Sequence, residues 1–190
     1  MRTLRITAIA LALAMLPGAV HSLEQKTTVQ ATGAIAAPKP APEMAQLKYL
    51  LGTWRCEGTD FPSLLGPQHR IQRVITTRMD FDGFWLTMRW EEKATKENPY
   101  PWKGVHAFTY DPEQKRFVNI FNDNTGMWST GTSDGWDGDK LVVVGEYTSG
   151  GQKAAFRDTY IKKSDKAHEF IGEIKVNEQW SKDTEATCQK

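Results

Sequence analysis

The stretch that decides the fold is residues 103–122, which read KGVHAFTYDPEQKRFVNIFN. Residues 103–110 and 116–122 are rich in β-branched and aromatic side chains, and the cluster at 111–115 between them suits a hairpin loop. The same texture repeats from Gly52 onward, with a turn cluster every eight to twelve residues. Because short loops join successive strands, the pattern predicts sequential antiparallel pairing in one all-β domain.

About ten strands and one short helix are expected. The helix is predicted at residues 44–51, where three leucines share one face. A meander of about ten strands has two edges to hide, and closure into an up-and-down β-barrel hides both. The strands are predicted near residues 52–59, 69–79, 83–92, 103–110, 116–122, 127–134, 140–147, 155–162, 169–176 and 184–189.

Residues 1–22 have the features of a secretory signal peptide. Arg2 and Arg5 precede an apolar run too short to span a bilayer, and small residues lead to Ser22, after which cleavage is expected. Residues 23–43 are rich in Ala, Thr, Gln, Lys and Pro and predict a flexible linker. The barrel domain is therefore expected at 44–190, in a periplasmic or secreted protein that is not membrane-embedded.

The chain has two cysteines, Cys56 and Cys188. In an oxidising compartment an isolated pair is more often a disulfide than two free thiols, although two buried thiols are the alternative. The distance between them in the sequence excludes a C-x-x-C redox or zinc motif. A disulfide would join the first predicted strand to the last, which gives a covalent indication of barrel closure.

Composition and motifs exclude several classes of function. The 190 residues carry a formal net charge of +1, so the chain lacks the basic excess of a nucleic-acid-binding domain. The sequence contains no phosphate-binding glycine loop, no dinucleotide fingerprint and no Gly-x-Ser-x-Gly motif. His69, His106 and His168 do not have metal-ligand spacing, so neither a metal nor another cofactor is predicted.

Two parts of the sequence resemble known families. Gly52-Thr53-Trp54, after a short helix, resembles the Gly-x-Trp opening of the calycin superfamily, which includes lipocalins and nitrobindin-like proteins. Residues 103–112 and 117–126, followed by the Asp137-Gly138 turn, resemble the lipocalin-like DUF1579 family. The resemblance covers roughly residues 46–176. It implies an up-and-down barrel with a central cavity, and it implies no agreed activity.

Two family features are matched less closely. Lipocalins usually place a structural arginine over the tryptophan, for which this sequence offers Arg55 or Arg157. Nitrobindin-like proteins bind haem through a histidine late in the chain. The late histidine here, His168, follows the polar turn 163–166 instead of lying in mid-strand, which argues against haem.

Alternation along the strands predicts a candidate catalytic group. His106, Phe108 and Tyr110 share one face of their strand, and one face of a small barrel lines its interior. In this group His106 would be the general acid/base and Tyr110 a phenol donor. Arg89 would add a fixed cation, and Asp123 a carboxylate that orients the imidazole. A structural histidine and a hydrogen-bonded tyrosine are the alternative, and for Asp123 the alternative is an Asx-turn at the end of the strand.

The excess of aromatic residues predicts a cavity for a flat or apolar ligand. Trp54 is assigned to the barrel floor as a packing residue, and several other tryptophans are expected to pack in the same way. The residues predicted to contact the ligand are Trp85, Trp90, Phe108, Phe121, Asn122, Trp128 and Arg157.

Three functions of different classes fit these patterns. The preferred one is a periplasmic lipocalin-like barrel that binds a small apolar or aromatic molecule. The second is a cofactor-independent lyase or isomerase acting on an aromatic, phenolic substrate in the same cavity. The third is a ligand-free envelope interaction protein, for which a barrel interior filled by side chains is expected. A homodimer is compatible with each.

Overall fold

The structure is a computed structural model that describes residues 36–63, 66–96 and 98–190. The predicted signal peptide and the first part of the predicted linker, residues 1–35, lie outside the described residues. A 3-10 helix spans Pro42–Leu50, and a single 3-10 turn spans Phe81–Gly83. The strands are β1 (Gly52–Asp60), β2 (His69–Asp80), β3 (Trp85–Glu92), β4 (Lys103–Asp111), β5 (Arg116–Asp123), β6 (Trp128–Ser133), β7 (Trp136–Asp137), β8 (Lys140–Ser149), β9 (Gln152–Ser164), β10 (Ala167–Val176) and β11 (Gln179–Gln189).

The strands form one closed antiparallel barrel. Strand β1 pairs with β2 on one side and with β11 on the other, and the intervening strands pair in sequence order. Strand β6 skips the two-residue β7 and pairs with β8, which closes the sheet with ten strands in the wall. The prediction of an all-β, up-and-down barrel of about ten strands with a short N-terminal helix is confirmed.

The boundaries differ from the predictions mainly at the last hairpin. Strand β11 begins at Gln179, five residues before the predicted start at residue 184. The hairpin turns at Asn177 and Glu178, which have φ values of 49° and 65°. A two-residue turn with positive φ at both positions matches the twist of the paired strands. Asn177 suits this conformation, but glutamate is uncommon in it, so the Asn177-Glu178 pair is not a typical turn sequence.

The 3-10 helix covers one end of the barrel and makes it the floor. Leu47 and Leu50 are fully buried against Trp54, whose indole Nε1 donates a hydrogen bond to the Leu50 carbonyl at 2.8 Å. The cation over the Trp54 ring is the ammonium of Lys190, 4.5 Å from the ring centroid. The suggestion of Arg55 or Arg157 for this role is wrong, because Arg157 lies over Trp180 on another part of the barrel.

His168 belongs to the floor as well. It is the second residue of β10, directly after the turn and not in mid-strand, and its side chain is buried. Its imidazole lies 4.4 Å from Trp54 and 5.9 Å from Tyr160, measured between ring centroids. Burial, together with the charge of Lys190, lowers the pKa of His168 to about 4. The imidazole is therefore neutral at pH 7 and packs as an aromatic ring.

The predicted disulfide between Cys56 and Cys188 is present, and the two residues face each other across the β1–β11 pair. The bond therefore lies where the first strand of the barrel meets the last. Among the residues described, no helix has the length and apolarity needed to cross a bilayer.

Removing the disulfide should destabilise the barrel. The bond joins residues 132 positions apart, and a cross-link of that length restricts the unfolded chain by about 4–5 kcal/mol in the chain-entropy model. We expect the double variant Cys56→Ala, Cys188→Ala to lose about this much free energy of unfolding in urea titrations followed by tryptophan fluorescence. The reduced wild type should match the double variant. Equal stability of the oxidised wild type and the double variant would contradict the expectation.

Candidate functional site

The barrel encloses a cavity of about 380 Å³ in the half away from the 3-10 helix. Asp60, at the end of β1, lines it, whereas Trp54, near the start of the same strand, does not. The β1–β2 and β3–β4 connections contribute Phe61, Pro67 and Tyr100 to its rim. A cavity of this volume lies within the range of small-molecule sites.

One wall of the cavity is a continuous set of aromatic rings. Trp90 on β3 lies 5.1 Å from His106 on β4 and 5.2 Å from Phe170 on β10, centroid to centroid. Phe121 on β5 lies 4.4 Å from His106 and 5.3 Å from Trp102. These residues meet because each occupies an inward position of its strand or of the adjoining loop. The wall can hold a flat molecule by stacking and edge contacts.

His106 is buried in this wall as a neutral imidazole. Asn119 donates its amide Nδ2 to the Ala107 carbonyl at 3.5 Å, so its Oδ1 is the atom that faces His106 Nδ1 at 3.3 Å. His106 therefore carries its proton on Nδ1, which leaves Nε2 as an acceptor. Burial lowers the pKa of His106 to about 4, opposed by the hydrogen bond to Asn119. The orienting partner is thus Asn119, and the expectation that Asp123 has this role is wrong.

A second group of charged residues lies at the rim. The guanidinium of Arg73 pairs with Asp60 and lies 4.9 Å from the Trp102 ring centroid. His69 Nε2 is 3.1 Å from Glu92 Oε1. Asp60, His69 and Glu92 offer ligand atoms within 4.8 Å of one another, as a metal site requires. The set fits a cation poorly, because Arg73 already neutralises Asp60 and His69 already pairs with Glu92.

A pair of carboxylates, from β9 and β11, lies over Gly172 of β10, the strand between them. The Asp183 Oδ1 and Asp158 Oδ1 atoms lie 2.6 and 3.6 Å from the position that a Cβ on Gly172 would occupy. Gly172 faces Asp158 across β9–β10 and Thr184 across β10–β11, so its missing side chain provides the space into which both carboxylates extend. Any larger residue at 172 would meet the Asp183 oxygen.

A β-bulge directs Asp183 into the cavity. Gly172 pairs with Thr184 and Glu173 with Lys182, so Asp183 is the extra residue between them. As a result Asp183 and Thr184 are both buried, and both line the cavity, although adjacent residues of a regular strand face opposite sides. Bulges of this kind redirect a side chain and are common beside functional sites.

Burial disfavours the ionised forms of both carboxyl groups and so raises their pKa values. Burial raises the pKa of Asp183 to about 6; the charge of Asp60 adds to the rise, and backbone hydrogen bonds and Arg73 oppose it. Burial also raises the pKa of Asp158 well above its usual range, and the Asp183 charge adds to this effect. Among the described residues, neither Asp158 nor Asp183 forms an ion pair.

The structure places four of the predicted site residues around the cavity: His106, Trp90, Phe121 and Asp123. Both carboxylate oxygens of Asp123 already accept hydrogen bonds. The donors are Trp102 Nε1 at 2.5 Å and the Thr125 and Met127 amides at 2.8 and 2.9 Å. Asp123 fixes the β5–β6 turn and Trp102. Its role in the cavity is therefore to position neighbouring groups.

The other predicted site residues lie elsewhere. Arg89 is exposed on the outer face of β3, opposite in parity to Trp90, so it does not join His106. Tyr110 shares the inward parity of His106 but lies at the floor end, where burial and the neighbouring Glu43 raise the pKa of its phenol. The remaining predicted residues that do not line the cavity are Trp85, Phe108, Asn122, Trp128 and Arg157. Phe108 is buried beneath it, and the other four occupy outward parity positions of their strands.

Several lining residues were missed by sequence reasoning. Arg73 shares the inward face of Ile71 and Ile75, and Asp158 lies between the inward Phe156 and Tyr160. The alternation used for the other strands could have found both of these polar residues. Asp183 could not be found in this way. The bulge interrupts the alternation of inward and outward residues in β11, so alternation would predict that Asp183 faces outward.

Comparisons with known proteins agree with this architecture. The family model described as "Protein of unknown function (DUF1579)" matches residues 39–190. Among solved structures, the crystal structure of Rv2717c from M. tuberculosis is similar, with a TM-score of 0.62 and 12% identity over 80% of this chain and 99% of that chain. At this identity the likeness shows the fold alone. No curated protein matches the sequence.

The buried carboxylate should leave a signature in the pH dependence of stability. Asp183 has a pKa of about 6 in the folded protein against a usual 3.8, so the folded state binds the proton more tightly and Asp183 destabilises the fold as the pH rises through this range. We expect Asp183→Asn to gain stability over the wild type from about pH 4 to pH 7, by on the order of 2–3 kcal/mol.

Urea unfolding at a series of pH values measures this difference. Asp139→Asn, which alters an exposed carboxylate in the β7–β8 turn, is the matched control and should parallel the wild type. The comparison between variants removes the opposite contributions of His106 and His168, whose lowered pKa values make stability rise with pH. A difference between Asp183→Asn and wild type that stays constant across the range would contradict the assignment.

Proposed function

The chain belongs to the DUF1579 family of proteins of unknown function, and we propose that it binds a small aromatic or apolar molecule in the cavity of its barrel. The aromatic wall of Trp90, Trp102, His106, Phe121 and Phe170 supplies contact area for a ring. Phe61, Pro67 and Tyr100 place the rim of the cavity at the end of the barrel away from the 3-10 helix, and a ligand would enter from this end.

The single observation that carries the proposal is a set of buried polar atoms without partners along the cavity. Within residues 36–63, 66–96 and 98–190, Trp90 Nε1, Tyr147 Oη and Asp183 Oδ1 find no hydrogen-bond partner, and their residues are 2%, 5% and 8% exposed. Buried polar atoms in folded proteins are nearly always hydrogen-bonded, and each one left unsatisfied is costly. A bound molecule would provide the missing partners, which is the arrangement expected of a preformed site.

The other two functions have less support. The lyase or isomerase needed His106, Tyr110 and Arg89 in one place, and they lie at three different places in the barrel. The ligand-free interaction protein was expected to have an interior filled by side chains, whereas this barrel holds a cavity of about 380 Å³. Binding without chemistry therefore remains the function that the geometry favours.

We also propose that the protein acts outside the cytoplasm, in the periplasm or after secretion. The Cys56–Cys188 disulfide supports this location, because structural disulfides persist in oxidising compartments. The signal-like residues 1–22 point to the same route.

A neutral fluorescent probe tests the cavity directly. N-phenyl-1-naphthylamine brightens in apolar surroundings and should bind saturably at the aromatic wall. Ser129 is buried on β6 and lines the cavity, so Ser129→Phe should fill part of the space and weaken probe binding at least tenfold. Thr130→Phe, one residue later on the outer face of the same strand, is the matched control and should bind as the wild type does.

Thermal unfolding of both variants ensures that folded proteins are compared. Absence of saturable probe fluorescence in the wild type, or equal binding by folded Ser129→Phe and Thr130→Phe, would contradict ligand binding inside the barrel.

A further inference from the structure

We propose that the ligand carries a positive charge, as an ammonium or amidinium group that ion-pairs with Asp158 and Asp183 inside the cavity. This inference rests on the proposed function and names the chemical class of its ligand: an aromatic amine or a related organic cation. The aromatic wall would hold the ring, and the carboxylate pair beside Gly172 would hold the charged group.

Two of the carboxyl groups along the cavity are not matched by a cation in the part of the chain that the structure describes. Five carboxylates line it, from Asp60, Glu92, Asp123, Asp158 and Asp183. Asp60 pairs with Arg73, Glu92 contacts His69, and Asp123 is satisfied by Trp102 and the turn amides. Among the described residues, Asp158 and Asp183 form no ion pair. Carboxylates removed from water without a partner are costly, so a site that retains the buried Asp183 beside the half-buried Asp158 is arranged for a positively charged partner.

Two features of the backbone bring these carboxylates together. The bulge in β11 turns Asp183 inward against the alternation of its strand, and Gly172 leaves the space into which both carboxylates extend. Both features weaken a regular sheet, because a bulge interrupts pairing and glycine packs no side chain. The backbone amides of Asp183 and Thr184 hydrogen-bond the Asp183 carboxylate, but its Oδ1 has no partner among the described residues, so this oxygen is left for a ligand.

The surroundings of the pair suit an organic cation better than a metal ion. Phe156 and Phe170 line the same region of the cavity, and aromatic faces attract ammonium groups. The Tyr147 hydroxyl is buried without a partner among the described residues, and its pKa is raised by burial and by the nearby charge of Asp183. It can accept a hydrogen bond from an ammonium. A hard metal ion of the calcium type would need six or more oxygen ligands.

The charged groups around the pair disfavour an anionic ligand. Arg73, whose charge acts on Asp183, is already matched by Asp60. The groups that face Asp183 are Asp60 from β1, Arg73 from β2, Tyr147 from β8 and Asp158 from β9; Gly172 on β10 brings no charge. An organic cation should therefore bind more tightly as the pH rises and the two carboxyl groups ionise.

Three probes that share one ring system separate the classes of ligand. They are 2-(1-naphthyl)ethylamine, the neutral 2-(1-naphthyl)ethanol and the anionic 1-naphthylacetate, each titrated into the purified protein by isothermal calorimetry at pH 7.5. The amine should bind at least tenfold more tightly than the alcohol, and the carboxylate more weakly than either. Between pH 5 and pH 7.5 the affinity for the amine should rise, while that for the alcohol should not.

The carboxylate variants assign the effect to the pair. Asp183→Asn and Asp158→Asn should each lower the affinity for the amine at least tenfold and leave that for the alcohol nearly unchanged. Asp139→Asn, outside the cavity, should behave as the wild type. Retained binding of the alcohol shows that the variants are folded with an intact cavity.

The possible results distinguish a cationic ligand from ligand binding in general. Equal affinity for amine and alcohol, or an amine affinity unchanged by both variants, would overturn the cationic ligand and leave ligand binding in place. No heat of binding with any of the three probes would overturn ligand binding as well. A calcium chloride titration that displaces the amine and depends on Asp183 would show that the pair holds a metal ion and would overturn the organic cation.

Discussion

Closure of the sheet is the constraint on which the rest of this structure depends. Because β1 pairs with β11 and β6 with β8, each strand has two neighbours and one face turned toward an enclosed space. The Cys56–Cys188 bond lies on the first of these pairings. With ten strands in the wall, the interior is wider than side chains fill, and the 3-10 helix closes only one end. The cavity is the space that remains.

The interior of the barrel consists of a floor that stabilises the fold and a cavity lining that does not. At the floor, Trp54, Leu47 and Leu50 are fully buried, and His168 packs as a neutral ring. Toward the rim, the lining carries carboxylates whose ionised forms are disfavoured by burial. Residues that reduce stability and have no internal partner are typical of binding sites, where stability is exchanged for function. Along the barrel axis, the residues of the floor therefore stabilise the fold, and the polar residues of the cavity are the ones available to bind a ligand.

The sequence was sufficient for the fold because strand alternation and turn residues are local signals. The hairpin at residues 103–123 and the closing disulfide could both be read without the structure. The site was predicted less well, for three physical reasons. Parity alone gives the face of a residue but not its depth, so Tyr110 was grouped with His106 although it lies at the floor. Arg89 was assigned inward against the parity of Trp90. Asp183 is directed inward by a bulge that has no local signature.

The bulge in β11 also affects how such a barrel can diverge. Deleting Asp183 would restore regular alternation between Lys182, already exposed, and Thr184, already inward, so the strand could keep its pairing. A change of one residue in strand length would thus remove a charge from the interior without altering any hydrophobic core position. In barrels of this shape, small insertions and deletions near a hairpin can change ligand preference in one step, by a route that comparison of aligned side chains alone would overlook.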